Sequence, residues 1–228
     1  MVKEEIRQLL EVMYDGVKEC NIPDRYIVSD IKGDEQLIDS FGRQISSNDI
    51  TRVFESKVVG YFIVEADDGM SIIDRDGQVV LKENLFSIEE ISTPGKYIVH
   101  KMLLENGIPG PGNCGLIDIE GNVIIPFAHQ IITAVSNRLL FVNEVKVVSF
   151  DALRSYSHLD RKAKIYDIDG KLIREVLYNS FVDLGVYGVL VKGLSGKPSY
   201  HIDRHDNITE VTDKKEVDEW MKKRNYYL

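Results

Sequence analysis

The chain has 228 residues, 43% of them hydrophobic, with 37 acidic against 28 basic residues and a net charge of −9. This is the composition of a globular protein, and an acidic surface repels phosphate backbones, so nucleic acid is excluded as an expected ligand and a basic partner is favoured. No apolar run approaches the ~20 residues of a membrane span, the N-terminus has no signal-like apolar core, and Cys20 and Cys114 are too few for a disulfide framework or zinc cage. A cytoplasmic protein without membrane, metal or cofactor is the expectation.

In chain order, residues 3 to 19 place Ile6, Leu9, Leu10, Met13 and Val17 on one helical stripe, which predicts an N-terminal helix within residues 1–22 packing on the domain that follows. Residues 23–211 read as β. Runs such as YIVSDI (26–31), GYFIVEA (60–66), YIVHK (97–101), LLFVNEVKVV (139–148) and YGVLVKG (187–193) each precede a hairpin signal, and a further apolar segment follows each of the first four hairpins. The hairpins repeat one unit: LIDSFGRQI at 37, IIDRDGQVV at 72, LIDIEGNVI at 116, IYDIDGKLI at 165 and HIDRHDNIT at 201. Their aspartates, Asp39, Asp74, Asp118, Asp167 and Asp203, recur roughly 35–50 residues apart, with about four strands per period, as propeller blades do. The pattern predicts an all-β chain with terminal helices, a propeller-like β-repeat of about five units, or alternatively an open β-solenoid. The fifth unit has Asp206 in place of glycine and lacks a last strand. In residues 212–228, Asp213 and Glu216 form a capping box for a helix whose Val217, Trp220 and Met221 face inward. The helices are expected to cover the open edge of the incomplete last unit or to plug one face.

The repeated aspartate is a turn residue by its chemistry. A carboxylate ending the first strand accepts N–H groups of the turn, and glycine three residues on takes a positive φ. GPGNCG (110–115) spells a dinucleotide fingerprint, but LIDIEGNVIIPF follows it, with β-favouring residues, Gly121 and Pro126 where a helix is required. The glycines therefore belong to a loop opening a hairpin. His201, Asp203 and His205 alternate as metal ligands on a straight strand would, yet the repeat places His205 inside a turn. No nucleophile elbow, P-loop, H-E-x-x-H or C-x-x-C occurs, so no catalytic residue is assigned. A carboxylate pair assembled only in space stays open to a glycosidase.

The copy CGLIDIEGNVIIPFAHQIITAVSNRLLFV (114–142) resembles a WG-repeat unit, the bacterial β-repeat that reads Trp-Gly-Leu-Ile-Asp, two residues, Gly, an apolar run and Pro. Gly115, Leu116, Ile117, Asp118, Gly121, Val123 to Ile125 and Pro126 sit at the matching positions. The other four copies keep the Asp, usually the Gly, and flanking apolar residues. All five lack the signature Trp, whose places hold Glu35, Met70, Cys114, Ala163 and Ser199. The resemblance implies a repeat β-fold, propeller-like, with a binding rather than catalytic role.

Two inserts lengthen the middle periods: LLENGIPGPGN (103–113) and SFDALRSYSHLDRK (149–162). Successive strands alternate in direction, so both inserts are expected as loops at the end opposite the Asp-x-x-Gly turns, forming one patch. Its candidate contact residues are Ile108 and Pro109 from the first loop and Phe150, Leu153, Arg154, Tyr156 and His158 from the second, since tyrosine and arginine anchor interfaces. The expected function is non-enzymatic binding of another macromolecule, a protein above all. A glycan-binding or glycan-hydrolysing propeller with an axial site is the alternative.

Overall fold

A computed structural model of the chain describes residues 3–105, 108–129, 131–135, 138–143 and 161–224. Its strands are antiparallel and form one three-stranded and two seven-stranded sheets, and each larger sheet divides at a long strand that changes partner into two units of blade type. The first unit has β1 (Gly16–Glu19), β2 (Arg25–Ser29) and β3 (Glu35–Asp39), and a single bridge, Ile38 to Gln44, stands where a fourth strand would run. The second has β4 (Ile50–Glu55), β5 (Tyr61–Ala66), β6 (Gly69–Asp74) and the first half of β7 (Val79–Glu90). The third takes the second half of β7, then β8 (Lys96–Glu105), β9 (Ile108–Asp118) and β10 (Val123–His129). β11 (Ile131–Ala134), β12 (Leu139–Asn143), β13 (Arg161–Asp167) and the start of β14 (Leu172–Asp183) make the fourth. The rest of β14 joins β15 (Val189–Gly193), β16 (Ser199–Ile202) and β17 (Ile208–Val211) in the fifth. The fold is thus an all-β repeat with terminal helices, α1 (Lys3–Met13) and α2 (Lys214–Arg224).

Two strands serve two units each. Val79 and Leu81 of β7 pair with Ile73 and Ile72 of β6, whereas its residues from Leu85 to Glu90 pair with β8. β14 does the same between β13 and β15, with a register shift where it changes partner. A bulge there bends the strand from one unit into the next without a loop. After the fifth hairpin no strand follows among the described residues and β17 runs into α2, as expected, while in the first unit a bridge stands in place of a fourth strand.

Contacts divide the chain into two compact units, the first holding most residues up to Val123 and the second most of those from Ile124 on. In the first, alternation splits the strands between two cores. Ile27 and Leu37 join Ile50, Val53, Phe62, Val64 and Ile73 on one face, while Tyr26, Val28 and Ile38 lie under Leu10, Ile6 and Tyr14 on the other. Both faces of β2 and β3 are therefore covered, which is why YIV and the Leu37-Ile38 pair read as unbroken apolar runs. In the second compact unit, Phe141, Ile165, Val176 and Tyr178 pack with Val191, Tyr200 and Ile202. Beyond them Val182, Leu184, Leu190 and Val211 lie under Val217, Trp220 and Met221 of α2.

The terminal helices differ from expectation in extent and in which side chains they bury. α1 ends at Met13, and Gly16 to Glu19, expected as helix, pair as a strand with Ser29 to Tyr26. A backbone ladder onto β2 outweighs the helical stripe, and Val17 sits on that strand. Leu9 and Met13, expected inside, are exposed with Val12, because only the Ile6–Leu10 edge of the stripe meets the sheet. In α2, Val217 is buried but Trp220 and Met221 are only half-buried. Asp213 caps the helix, accepting Lys215 N–H at 2.8 Å. Each helix covers a face, α1 in the first unit and α2 in the fifth, where apolar side chains would otherwise meet water.

Candidate functional site

The repeated turns are built alike. Each aspartate Oδ1 accepts the N–H groups two and four residues on: Phe41 and Arg43 at 2.9 Å for Asp39, Asp76 and Gln78 at 2.9 Å for Asp74, and Asp169 and Lys171 at 3.0 and 2.8 Å for Asp167. Asp203 accepts from His205 and Asn207 at 2.7 and 3.0 Å, and Asp118 from Asn122 at 2.8 Å. Gly42, Gly77, Gly121 and Gly170 hold φ between 76 and 83°, and Asp206 takes their place at 67°. The same turn recurs at Asp30-Ile31-Lys32-Gly33 between β2 and β3, where Asp30 Oδ1 accepts Lys32 and Asp34 N–H at 2.8 and 3.1 Å. Its D-x-x-G spelling is visible in the sequence, but no apolar run ends on it in the manner of the other five.

Burial raises the carboxyl of Asp39, yet hydrogen bonds from Arg43 and Phe41 hold it below the ordinary aspartate range. In Asp118 burial again works upward and the Asn122 bonds overcome it. In Asp203 the Asn207 amide leads the same downward shift. Each carboxylate is engaged by its own turn.

The turns also dock on the preceding unit. A Cβ added to Gly77 would stand 2.3 Å from Ile45 O, and one on Gly170 2.7 Å from Ile124 O, whereas Gly42 has nothing within 4 Å. Arg25, almost wholly covered, donates to Arg75 O at 2.7 Å and to Asp76 Oδ1 at 2.9 Å. Glutamates at the ends of the first strands add a second clasp. Glu55 accepts Asn21 N–H at 3.0 Å and pairs with Lys18 at 3.1 Å, and Glu90 accepts Lys57 N–H at 2.7 Å. Glu90 also takes Ser56 Oγ at 3.2 Å, and Ser56 meets the buried Tyr97 hydroxyl at 2.8 Å. Burial pushes Tyr97 up to about 12. These clasps bridge residues more than thirty positions apart, so nothing local in the sequence announces them.

A groove beside β1 and β4 is lined by Lys18, Ser29, Glu35, Phe54 and Glu55. Both of its carboxylates are engaged, Glu35 by Val53 N–H at 2.9 Å and Glu55 by Lys18. His201, a candidate ligand, donates through Nε2 to Tyr187 O at 2.7 Å and stacks on Trp220 with centroids 3.9 Å apart, while His205 sits in its turn. Among the described residues no group of three His, Cys, Asp or Glu is placed to hold a metal ion, and no helix is long and apolar enough to cross a membrane. Burial pushes the thiols of Cys20 and Cys114 up to about 12 and about 11, so both are protonated at neutral pH.

The first insert is not a loop. β8 and β9 extend through it to Glu105 and from Ile108, so Ile108, Pro109 and the whole of GPGNCG lie on a strand. Gly112 is required there by close approach, since a Cβ would stand 2.8 Å from Lys101 O. The sequence signal for this arm is Asn106-Gly107 between two apolar runs, the pair that favours tight hairpins. Leu103, Leu104 and Ile108 are 56%, 66% and 70% exposed. Consecutive strand residues point to opposite faces, so Leu103 and Leu104 leave both faces of the arm open. The arm lies at the opposite end of its unit from the Asp118 turn. Phe150, Leu153, Arg154, Tyr156 and His158 lie outside the described residues; Arg161 and Lys162, the last insert residues of which the structure speaks, belong to β13.

No family model matches the chain, and no curated protein matches it in sequence. Among solved structures it is similar to a eukaryotic initiation factor, with TM-score 0.43 and 11% identity over 86% of this chain and 53% of that one. It is also similar to Hsv2 of Kluyveromyces lactis, with TM-score 0.39 and 12% identity over 89% and 62% of the two chains. A third likeness is the N-terminal domain of Nup159, with TM-score 0.39 and 10% identity over 86% and 60%. The chain spans about half to three fifths of the length of these structures.

Proposed function

We propose that the chain is a non-enzymatic, cytoplasmic β-repeat domain of degenerate WG type that binds a protein partner through the β8–β9 arm. The observation that carries this reading is the β8–β9 arm, on which Leu103, Leu104 and Ile108 are largely exposed. Large apolar side chains held on strands are what an interface anchor requires. The non-enzymatic part rests on the carboxylates, since the repeated aspartates and the groove glutamates are all occupied by hydrogen bonds or ion pairs. The net charge of −9 favours a basic partner.

The test is capture from cells of the native organism with the wild-type chain and with Leu103→Asp/Ile108→Asp, both checked by thermal melting. A protein held by the wild type and released by the variant, at parental melting temperature, supports the arm as the site. Equal capture by both would remove it.

A further inference from the structure

The hairpin between β5 and β6 turns on Asp67 and Asp68, the two residues between the paired Ala66 and Gly69. It belongs to the same compact unit as β8 and the start of β9. Its turn is set at the foot of the arm. A Cβ built on Gly69 would stand 3.2 Å from Met102 Cε and 2.6 Å from Leu85 O. Met102 is half-buried there. Leu104, two residues further along β8, shares the Met102 face and is 66% exposed. Two residues of strand span about 7 Å, so Leu104 stands a short step beyond the turn. Lys101 and Leu103 belong to the opposite face of β8.

Asp67 and Asp68 are exposed, and among the described residues no cation pairs with either. Unlike the repeated aspartates, neither accepts a backbone N–H of its own turn, so local hydrogen bonding does not account for them. Elsewhere in this compact unit the carboxylates of turns and clasps are engaged. Asp30, Asp39 and Asp74 serve their own turns, Asp76 meets Arg25, Glu35 accepts Val53 N–H and Glu55 pairs with Lys18.

An apolar wall with two uncommitted carboxylates at its foot matches a side chain that is apolar along its stem and cationic at its tip. Lysine and arginine lay such stems on apolar surface and keep the charged head at a polar edge. Arginine is the better fit, since its planar guanidinium can serve two carboxylates at once and is more weakly hydrated than an ammonium. Resting on the reading of the arm as an interface, we propose that the segment it takes from its partner is basic and amphipathic, with an arginine whose stem lies on Met102 and Leu104 and whose guanidinium meets Asp67 and Asp68. The net charge of −9 attracts such a segment from a distance, and the hairpin turn gives it a position.

Proton–nitrogen correlation spectra of the full chain, titrated with acetyl-Leu-Arg-Leu amide to millimolar concentration, read the site residue by residue. The citrulline counterpart keeps the shape of the peptide and removes its charge. Shifts should centre on Asp68, Gly69, Met102 and Leu104, and the citrulline peptide should bind about three- to tenfold more weakly. Asparagine suits a turn as aspartate does, so Asp67→Asn/Asp68→Asn should keep the fold and bring the arginine peptide down to the citrulline level. Asp218→Asn/Glu219→Gln removes the same charge from exposed positions of α2 and should leave the affinity unchanged. Absent shifts, shifts confined to other residues, or a hairpin variant that binds the arginine peptide like the wild type would each overturn the proposal. Equal binding of the two peptides at Leu104 would also overturn it, yet would leave the arm standing as a binding surface, which capture through Leu103 and Ile108 tests separately.

Discussion

Gly42 and Gly77 occupy the same place in two copies of one turn, and alanine at each should cost very different amounts. Their φ values are 76 and 81°, so a Cβ brings the same left-handed strain to both, about 1–2 kcal/mol. Gly42 faces open space, and the cost should end there. At Gly77 the new Cβ would lie 2.3 Å from Ile45 O and 3.1 Å from the Ile45 carbonyl carbon. A backbone carbonyl cannot rotate away as a side chain can, so the turn must lift from the first unit, straining the Arg25 bonds to Arg75 O and Asp76. Overpacking of this kind costs about 1–3 kcal/mol more. Urea denaturation followed by far-UV circular dichroism should place Gly77→Ala about 2–5 kcal/mol below wild type and Gly42→Ala within about 2. Equal losses would mean that the turns do not hold one unit against the next, and the docking argument would fail.

Asp167→Ala leaves two turn N–H groups without their carboxylate and should lower stability by about 1–2 kcal/mol, read by urea denaturation through the single tryptophan, Trp220; an unchanged midpoint would show that the glycine alone sets the turn. Deleting residues 213–228 uncovers Val182, Leu184, Leu190 and Val211, and light scattering should detect aggregation where the full chain stays clear; a clear solution melting at the parental temperature would show that α2 is not a cover. Asp39, Asp118 and Asp203 have carboxyls held below the ordinary value, so their stabilisation is present above the unfolded pKa of about 4 and is lost as pH falls through the folded values. The melting temperature should therefore decline as acid is added below about pH 4, and the decline should be shallower in Asp39→Asn, which carries no titrating proton; parallel curves would refute the assignment.

The Asp-x-x-Gly turns could be read from the chain because every bond they make closes within four residues. Asp118 reaches Asn122, and Asp203 reaches Asn207, whatever lies beyond them, so spacing alone conveys the geometry. The five-unit β-repeat follows from the same local rule applied along the chain. Where a backbone had a distant alternative, local pattern was a poor guide. Val17 continues a helical stripe, yet Gly16 to Glu19 find N–H and C=O partners on β2, and that ladder decides their form. GPGNCG has the composition of a loop, yet β8 supplies it with a neighbouring strand. The clasps of Glu55 and Glu90, the approach of Gly77 to Ile45, and the choice of Leu10 over Leu9 as the buried residue of α1 belong to the tertiary structure alone. Each depends on which backbone arrives beside a residue from more than fifteen positions away, and only the register of the assembled sheets determines that.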